Sequence, residues 1–193
     1  MKKVLIIGGK LFFGANGYSE FIYPQLLLSN PQFPHKINLF TRESLTYRDV
    51  LEDLPQNVIG KAPDYVLFAL GCDDILTNSP IDNLIKTIEE IIDLVLDKTQ
   101  AIIGFINNCS ILYSGNNTQL KTCQEINRIC NDFVESHDLI LIDIDSIAKK
   151  FMQLHCKSSG EKKSLYTIGP QLTYLGTLLF SSSVANNIQK KLA

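Results

Sequence analysis

Five short, almost wholly apolar runs constrain this chain more than any other feature: residues 4–7 (VLII), 37–40 (INLF), 65–70 (YVLFAL), 101–106 (AIIGFI) and 139–142 (LILI). A strand with one face in water alternates apolar and polar residues. A continuous apolar run instead needs cover on both faces, which is the condition inside a parallel sheet. Between the runs lie stretches with helical spacing, at residues 19–29, 47–54, 81–98, 118–136 and 174–192. In the third, Ile81, Leu84, Ile85, Ile88, Ile91, Ile92, Val95 and Leu96 recur on one face. Strands alternating with helices predict a three-layer α/β/α sandwich around a five-stranded, mostly parallel sheet with right-handed crossovers. No linker or internal repeat interrupts the pattern, so one domain is expected over residues 1–193. The polar stretch 155–164 (HCKSSGEKKS) is the natural long loop.

Composition excludes several partners. No apolar run approaches the roughly 20 residues of a membrane span, and the opening residues are too short a hydrophobic region for a secretion signal. The expected compartment is therefore the cytoplasm. The formal charge is −2, with no densely basic segment; nucleic acid and membrane surfaces are not expected as partners. The five cysteines, Cys72, Cys109, Cys123, Cys130 and Cys156, form no CxxC pair. They read as small buried hydrophobes rather than disulfide or zinc ligands. No metal and no cofactor is expected.

Gly8, Gly9 and Gly14 follow the first run as GGKLFFG. One reading is the phosphate-binding turn of Rossmann-type nucleotide-binding proteins, which requires a helix to start at once so that its amides meet the pyrophosphate. Here Ala15-Asn16-Gly17-Tyr18 intervenes, and Thr41 and Arg42 stand where an acidic residue would take the ribose. No Tyr-x-x-x-Lys couple exists in the chain.

A second reading accounts for more of the chain. Gly8-Gly9-Lys10-Leu11 with Gly14 resembles the Gly-Asp-Ser-Leu turn and following glycine of the SGNH (GDSL-type) hydrolases. Tyr23-Pro24-Gln25-Leu26-Leu27 is similar to that family's aromatic-Pro-x-Leu-Leu helix, and Gly71-Cys72-Asp73-Asp74 to its Gly-x-Asn-Asp. Glu125-Ile126-Asn127 with Leu141-Ile142-Asp143, and Leu172-Thr173 with Gly176, resemble its fourth helix, fifth strand and the opening of its last helix. The matches run in the family's order over nearly the whole chain. The resemblance implies a flavodoxin-like sheet and an esterase mechanism. That mechanism uses a serine nucleophile, a histidine base, an aspartate three residues before it, and an oxyanion hole of serine amide, glycine amide and asparagine side chain.

Carried over position by position, the chemistry is missing. The nucleophile falls on Lys10, whose ammonium has no lone pair for attack. The asparagine falls on Asp73, which when ionised only accepts hydrogen bonds. The histidine falls on Gln171 and its aspartate on Ile168; aligning on Pro170 gives Gly169 and Tyr166 instead. The oxyanion glycine falls on Ser44, with Glu43 the alternative. The sequence thus predicts a non-catalytic protein of this fold. Its cleft, formed by Lys10, Glu43, Ser44, Cys72, Asp73, Cys109 and Gln171, would hold a small polar or anionic ligand or face a protein partner. A Lys10–Asp73 ion pair is the specific expectation. The alternative is an ester or acyl hydrolase rebuilt on Cys72, Cys109 or Lys10. The chain has three histidines. His35 and His137 precede strands, and only His155, beside Cys156, is placed to swing inward from a loop.

Overall fold

The computed structural model describes residues 2–9, 35–156, 165 and 173–192. Five strands, β1 (Lys2–Gly8), β2 (His35–Thr41), β3 (Tyr65–Ala69), β4 (Ile102–Ile106) and β5 (Ile140–Ile142), form one sheet in the order β2-β1-β3-β4-β5. Every adjacent pair is parallel. The period-two alternation of side chains divides the apolar runs between two cores. Leu5, Ile7, Val66, Phe68, Ile103 and Phe105 pack on one face, and Val4, Ile6, Leu67, Ala69, Ile140 and Ile142 on the other. Both faces are covered, which is why the runs carry almost no polar residue. The order 2-1-3-4-5 is the flavodoxin-like winding and not the 3-2-1-4-5 order of dinucleotide-binding sheets, so the Rossmann reading of the glycine turn is set aside.

Helices α1 (Tyr47–Asn57), α3 (Ile81–Lys98) and α4 (Asn117–His137) cover the first face, and α5 (Ile144–Cys156) and α6 (Tyr174–Leu192) the second. A short helix α2 (Cys72–Leu76) and two 3-10 turns, η1 (Ile59–Lys61) and η2 (Ser110–Tyr113), complete the described elements. Thr46 starts α1 through a reciprocal cap. The Asp49 amide donates to Thr46 Oγ1 (3.2 Å) and the Thr46 amide to Asp49 Oδ2 (2.7 Å). Asn116 caps α4, accepting from the amides of Thr118 and Gln119. At α6, Thr173 Oγ1 accepts the Gly176 amide at 3.1 Å, so the Thr-x-x-Gly pair seen in the sequence is a helix cap.

Three differences from the sequence expectations have physical causes. Leu96, counted in the apolar stripe of α3, is 45% exposed, because it lies at the margin of the stripe on the side of half-buried Ile81 and Ile85; Leu84, Ile88, Ile91, Ile92 and Val95 carry the packing. Helix α5 was not anticipated, although Ile144, Ile147, Ala148 and Phe151 have helical spacing. His155 and Cys156, expected to open the long loop, form its last turn. Residues 19–29 and 157–164 lie outside the described residues. Among those described, no helix is long and apolar enough to cross a membrane.

Gly104 shows how tightly the second face is packed. A β-carbon there would sit 2.8 Å from Leu67 Cδ2 and 3.0 Å from Ile140 Cβ. Gly104→Ala is expected to cost about 1–3 kcal/mol by overpacking, read as a lower urea midpoint with an unchanged slope.

Candidate functional site

Polar groups gather where the parallel strands end, the edge at which sheets of this kind hold ligands. Gly9 follows β1, residues 42–46 follow β2, and Gly71, Cys72 and Asp73 follow β3. The three exits meet at Asp73, which is only 2% exposed. Its Oδ2 accepts the Leu45 amide at 3.0 Å. The same oxygen lies against the bare α-carbon of Gly9, where a β-carbon would stand 2.2 Å from it. No side chain fits there, so the glycine before position 10 is fixed by the carboxyl across from it. Ser44 and Glu43 are exposed on the same loop, one and two residues before the amide that Asp73 takes.

Gly71 lets the chain turn from β3 into α2 at φ +100°, and a β-carbon there would meet Asn108 Nδ2 at 2.5 Å. Asn108 in turn donates from Nδ2 to the Leu70 carbonyl (2.9 Å). Asn127, on α4, holds Asn108 at both backbone groups. Its Oδ1 accepts the Asn108 amide (2.8 Å) and its Nδ2 donates to the Asn108 carbonyl (2.7 Å). Asn107 ties the next exit, donating to Asp143 Oδ1 (2.7 Å) and accepting the Asp145 amide (3.1 Å). Bonds from the Ser146 amide and hydroxyl and from Asn107 hold the Asp143 carboxyl below the usual range, outweighing its partial burial. Asp145 takes the Ser110 amide and hydroxyl and the Lys149 ammonium. Sequence reading assigned no role to Asn107, Asn108 or Asp145. The available signal was two consecutive amides directly after a buried strand.

Of the residues expected in the cleft, Asp73, Ser44 and Glu43 come together at this rim. Lys10, Ile168 and Gln171 lie outside the described residues, as do Gly169 and Tyr166. Cys72 and Cys109 fall in the two different cores, 5% and 1% exposed. Cys72 Sγ accepts the Tyr113 hydroxyl at 3.2 Å. Burial pushes the thiols of Cys123 and Cys130 up to about 12. All three histidines sit on the opposite side of the molecule. His35 opens β2, His137 ends α4 just before β5, and His155 lies in the last turn of α5. That helix has 13 residues and starts at the rim, so its end is about 20 Å away along the axis. The inward swing expected of His155 is therefore ruled out by the helix that holds its backbone. Among the described residues no group of three or more His, Cys, Asp or Glu could hold a metal ion.

Asp74 bonds to the same segment as Asp73, two residues further on. It is buried, accepts the Tyr47 amide at 3.3 Å, and lines a concavity of about 500 Å³ with Arg48, Ser79, Asn83, Lys86 and Glu90. Burial raises its carboxyl to about 7, against the Tyr47 amide and its own, which lower it; the charges of Asp73 and Asp49 push it up further.

A parallel 2-1-3-4-5 sheet clad on both faces, with polar groups where its strands end, is common to several flavodoxin-like families; the solved structures that match nearly the whole chain give it the SGNH-hydrolase fold. Solved structures similar to this chain include esterases and an acyl hydrolase. A catalytic mutant of Axe2, an acetylxylan esterase from Geobacillus stearothermophilus, matches with a TM-score of 0.78 at 14% identity, over 97% of this chain and 94% of that one. The lipase/acylhydrolase from Enterococcus faecalis gives 0.78 at 16%, over 99% and 97%. The acetyl xylan esterase AlAXEase gives 0.77 at 15%, over 99% and 100%. No protein-family model matches the sequence, and neither does any curated protein.

Two predictions follow from these bonds. Asn127→Leu leaves the Asn108 amide and carbonyl buried without their partner and is expected to cost about 2–4 kcal/mol in urea unfolding. For Asp74, the folded carboxyl holds its proton up to about pH 7 whereas the unfolded one loses it near 3.8. The unfolded chain then binds fewer protons in that window, so stability falls as pH rises through it and levels off above. Relative to Asp74→Asn, the unsubstituted protein should lose on the order of 2–4 kcal/mol between pH 4 and pH 8, measured as the difference between their urea stabilities.

Proposed function

We propose that this chain is a non-catalytic protein of the SGNH-hydrolase fold, whose former active-site cleft binds a small polar ligand without turning it over. The observation that carries the proposal is Asp73. At the position where the resemblance implies an oxyanion-stabilising amide stands a buried acceptor that itself consumes the Leu45 amide of the adjoining loop. A carboxylate there repels a developing oxyanion and withdraws a donor from it. The side-chain amides that follow β4 do not replace it, because Asn107 and Asn108 donate to Asp143 and Leu70.

The other positions agree. In this proposal the Lys10 ammonium pairs with Asp73; a lysine so paired stays protonated and has no lone pair for attack. Catalytic mutants of the acetylxylan esterase replace a serine, and an aspartate and a histidine three residues apart. The resemblance puts Lys10, Ile168 and Gln171 at the corresponding places in this chain. With the chain's histidines at the far edge of the sheet, no imidazole stands in for the lost base. The cleft that remains, with a charge pair at its floor and Ser44 and Glu43 at its lip, suits a small polar or anionic molecule.

A second reading, an acyl hydrolase rebuilt on Cys72, Cys109 or Lys10, draws on the esterase activity named for the structural neighbours. The burial of both cysteines in separate cores weighs against it.

The two readings separate in one assay. Hydrolysis of 4-nitrophenyl acetate by the unsubstituted protein should stay at the buffer rate. The fourfold variant Lys10→Ser, Asp73→Asn, Ile168→Asp, Gln171→His should raise it by about 10²-fold or more, the scale of a restored general base. Turnover by the unsubstituted protein that iodoacetamide abolishes would overturn the proposal in favour of the rebuilt enzyme.

A further inference from the structure

The opposite edge of the sheet carries a second feature, made by the first residues of β1 and β2. In the parallel register Lys3 lies directly beside Lys36. Side chains at matched positions on neighbouring strands project from the same face, and like charges placed so destabilise a sheet. Lys61, from η1, lines the same concavity, together with Asn38 and Asn57. The volume is about 450 Å³, within the range of small-molecule sites. Leu5, Leu39 and Phe40 also line it, and among the described residues no acidic side chain does. Among the described residues none forms an ion pair with Lys3, Lys36 or Lys61. The carboxyl of Asp64 bonds to the Lys2 ammonium and the Lys3 amide, and feels the Lys3 charge only more weakly.

Lysines on an edge strand also guard against edge-to-edge pairing. That role explains Lys36, on the outermost strand. It does not explain Lys3, on an interior strand, nor Lys61, which reaches the same hollow from another element. In a chain whose net charge is −2, three converging cations around a polar concavity call for a counter-charge.

We infer that Lys3, Lys36 and Lys61 form a binding site for a small phosphorylated ligand, with its phosphate oxygens on the three ammonium groups and the Asn38 and Asn57 amides at hand for further polar groups. A multiply charged oxyanion offsets the repulsion between Lys3 and Lys36 and takes a separate donor from each lysine. The site is at the N-terminal edge of the strands and is independent of the cleft around Asp73.

The experiment is a calorimetric titration of the protein with inorganic pyrophosphate at low ionic strength, run beside ¹H–¹⁵N spectra. One-to-one binding is expected, with shifts at residues 3, 36, 38 and 61, weakening as salt is raised. Lys36→Gln and Lys61→Gln should each weaken binding about tenfold, as loss of a charge-assisted bond does. Lys86→Gln, on α3, should leave it unchanged, and Lys36→Arg should retain most of it. All three side chains, Lys36, Lys61 and Lys86, are exposed, so the variants fold. Absence of binding, binding indifferent to Lys36→Gln and Lys61→Gln, or binding of a single-stranded oligonucleotide but not pyrophosphate would each overturn the inference.

Discussion

A carboxyl buried where three parallel strands end must be satisfied by what those strands deliver, and the rim of this molecule is arranged around that requirement. Asp73 takes the Leu45 amide from the exit of β2, presses on the α-carbon of Gly9 at the exit of β1, and is itself carried by the turn after β3. Each exit is fixed in turn. Gly9 has no room for a side chain, Gly71 supplies the left-handed turn, and Asn108 and Asn127 lock the neighbouring exit of β4. Removing an acceptor from such a position leaves buried donors without partners, so the carboxyl is built into the framework.

The fold was legible because its cause is local. Continuous apolar runs can only be strands covered on both faces, and all five became strands of one parallel sheet. The end residues moved by one or two, as at β5, where Leu139 precedes the first paired residue. Helix α5 escaped notice because its apolar face is narrow and follows directly on β5, so strand and helix read as one segment. Leu96 misled in the opposite way. Periodicity put it on the apolar stripe, but it stands at the margin of that stripe, beside half-buried Ile81 and Ile85, while Val95 in the same turn is buried.

The site was legible only in part. Asp73 was picked out by its motif, and it occupies the rim. What the motif could not convey is that its oxygen would take the Leu45 amide, since that bond joins residues 28 apart in sequence. Cys72 and Cys109 looked like neighbours of the cleft because both follow strands. They separate because Cys72 is carried into the first core by α2 and Cys109 into the second by the turn that opens η2. The polar bracing by Asn107, Asn108, Asn127 and Asp145 was invisible for the same reason: it consists of tertiary bonds between elements whose own patterns are ordinary. A fold shared with esterases therefore says little about turnover, which depends on a few atoms at this rim.

The central claim is that the floor of the cleft is a charge pair between Lys10 and Asp73 and no longer a nucleophile beside an oxyanion hole. A double-mutant cycle tests it most directly, comparing the urea stabilities of Lys10→Met, Asp73→Asn and the double variant with the unsubstituted protein. A buried pair predicts a coupling energy of about 1.5–3 kcal/mol, the double variant losing less than the sum of the two single losses. Stabilities that add to within about 0.5 kcal/mol would mean that the two groups do not interact, and would contradict this account.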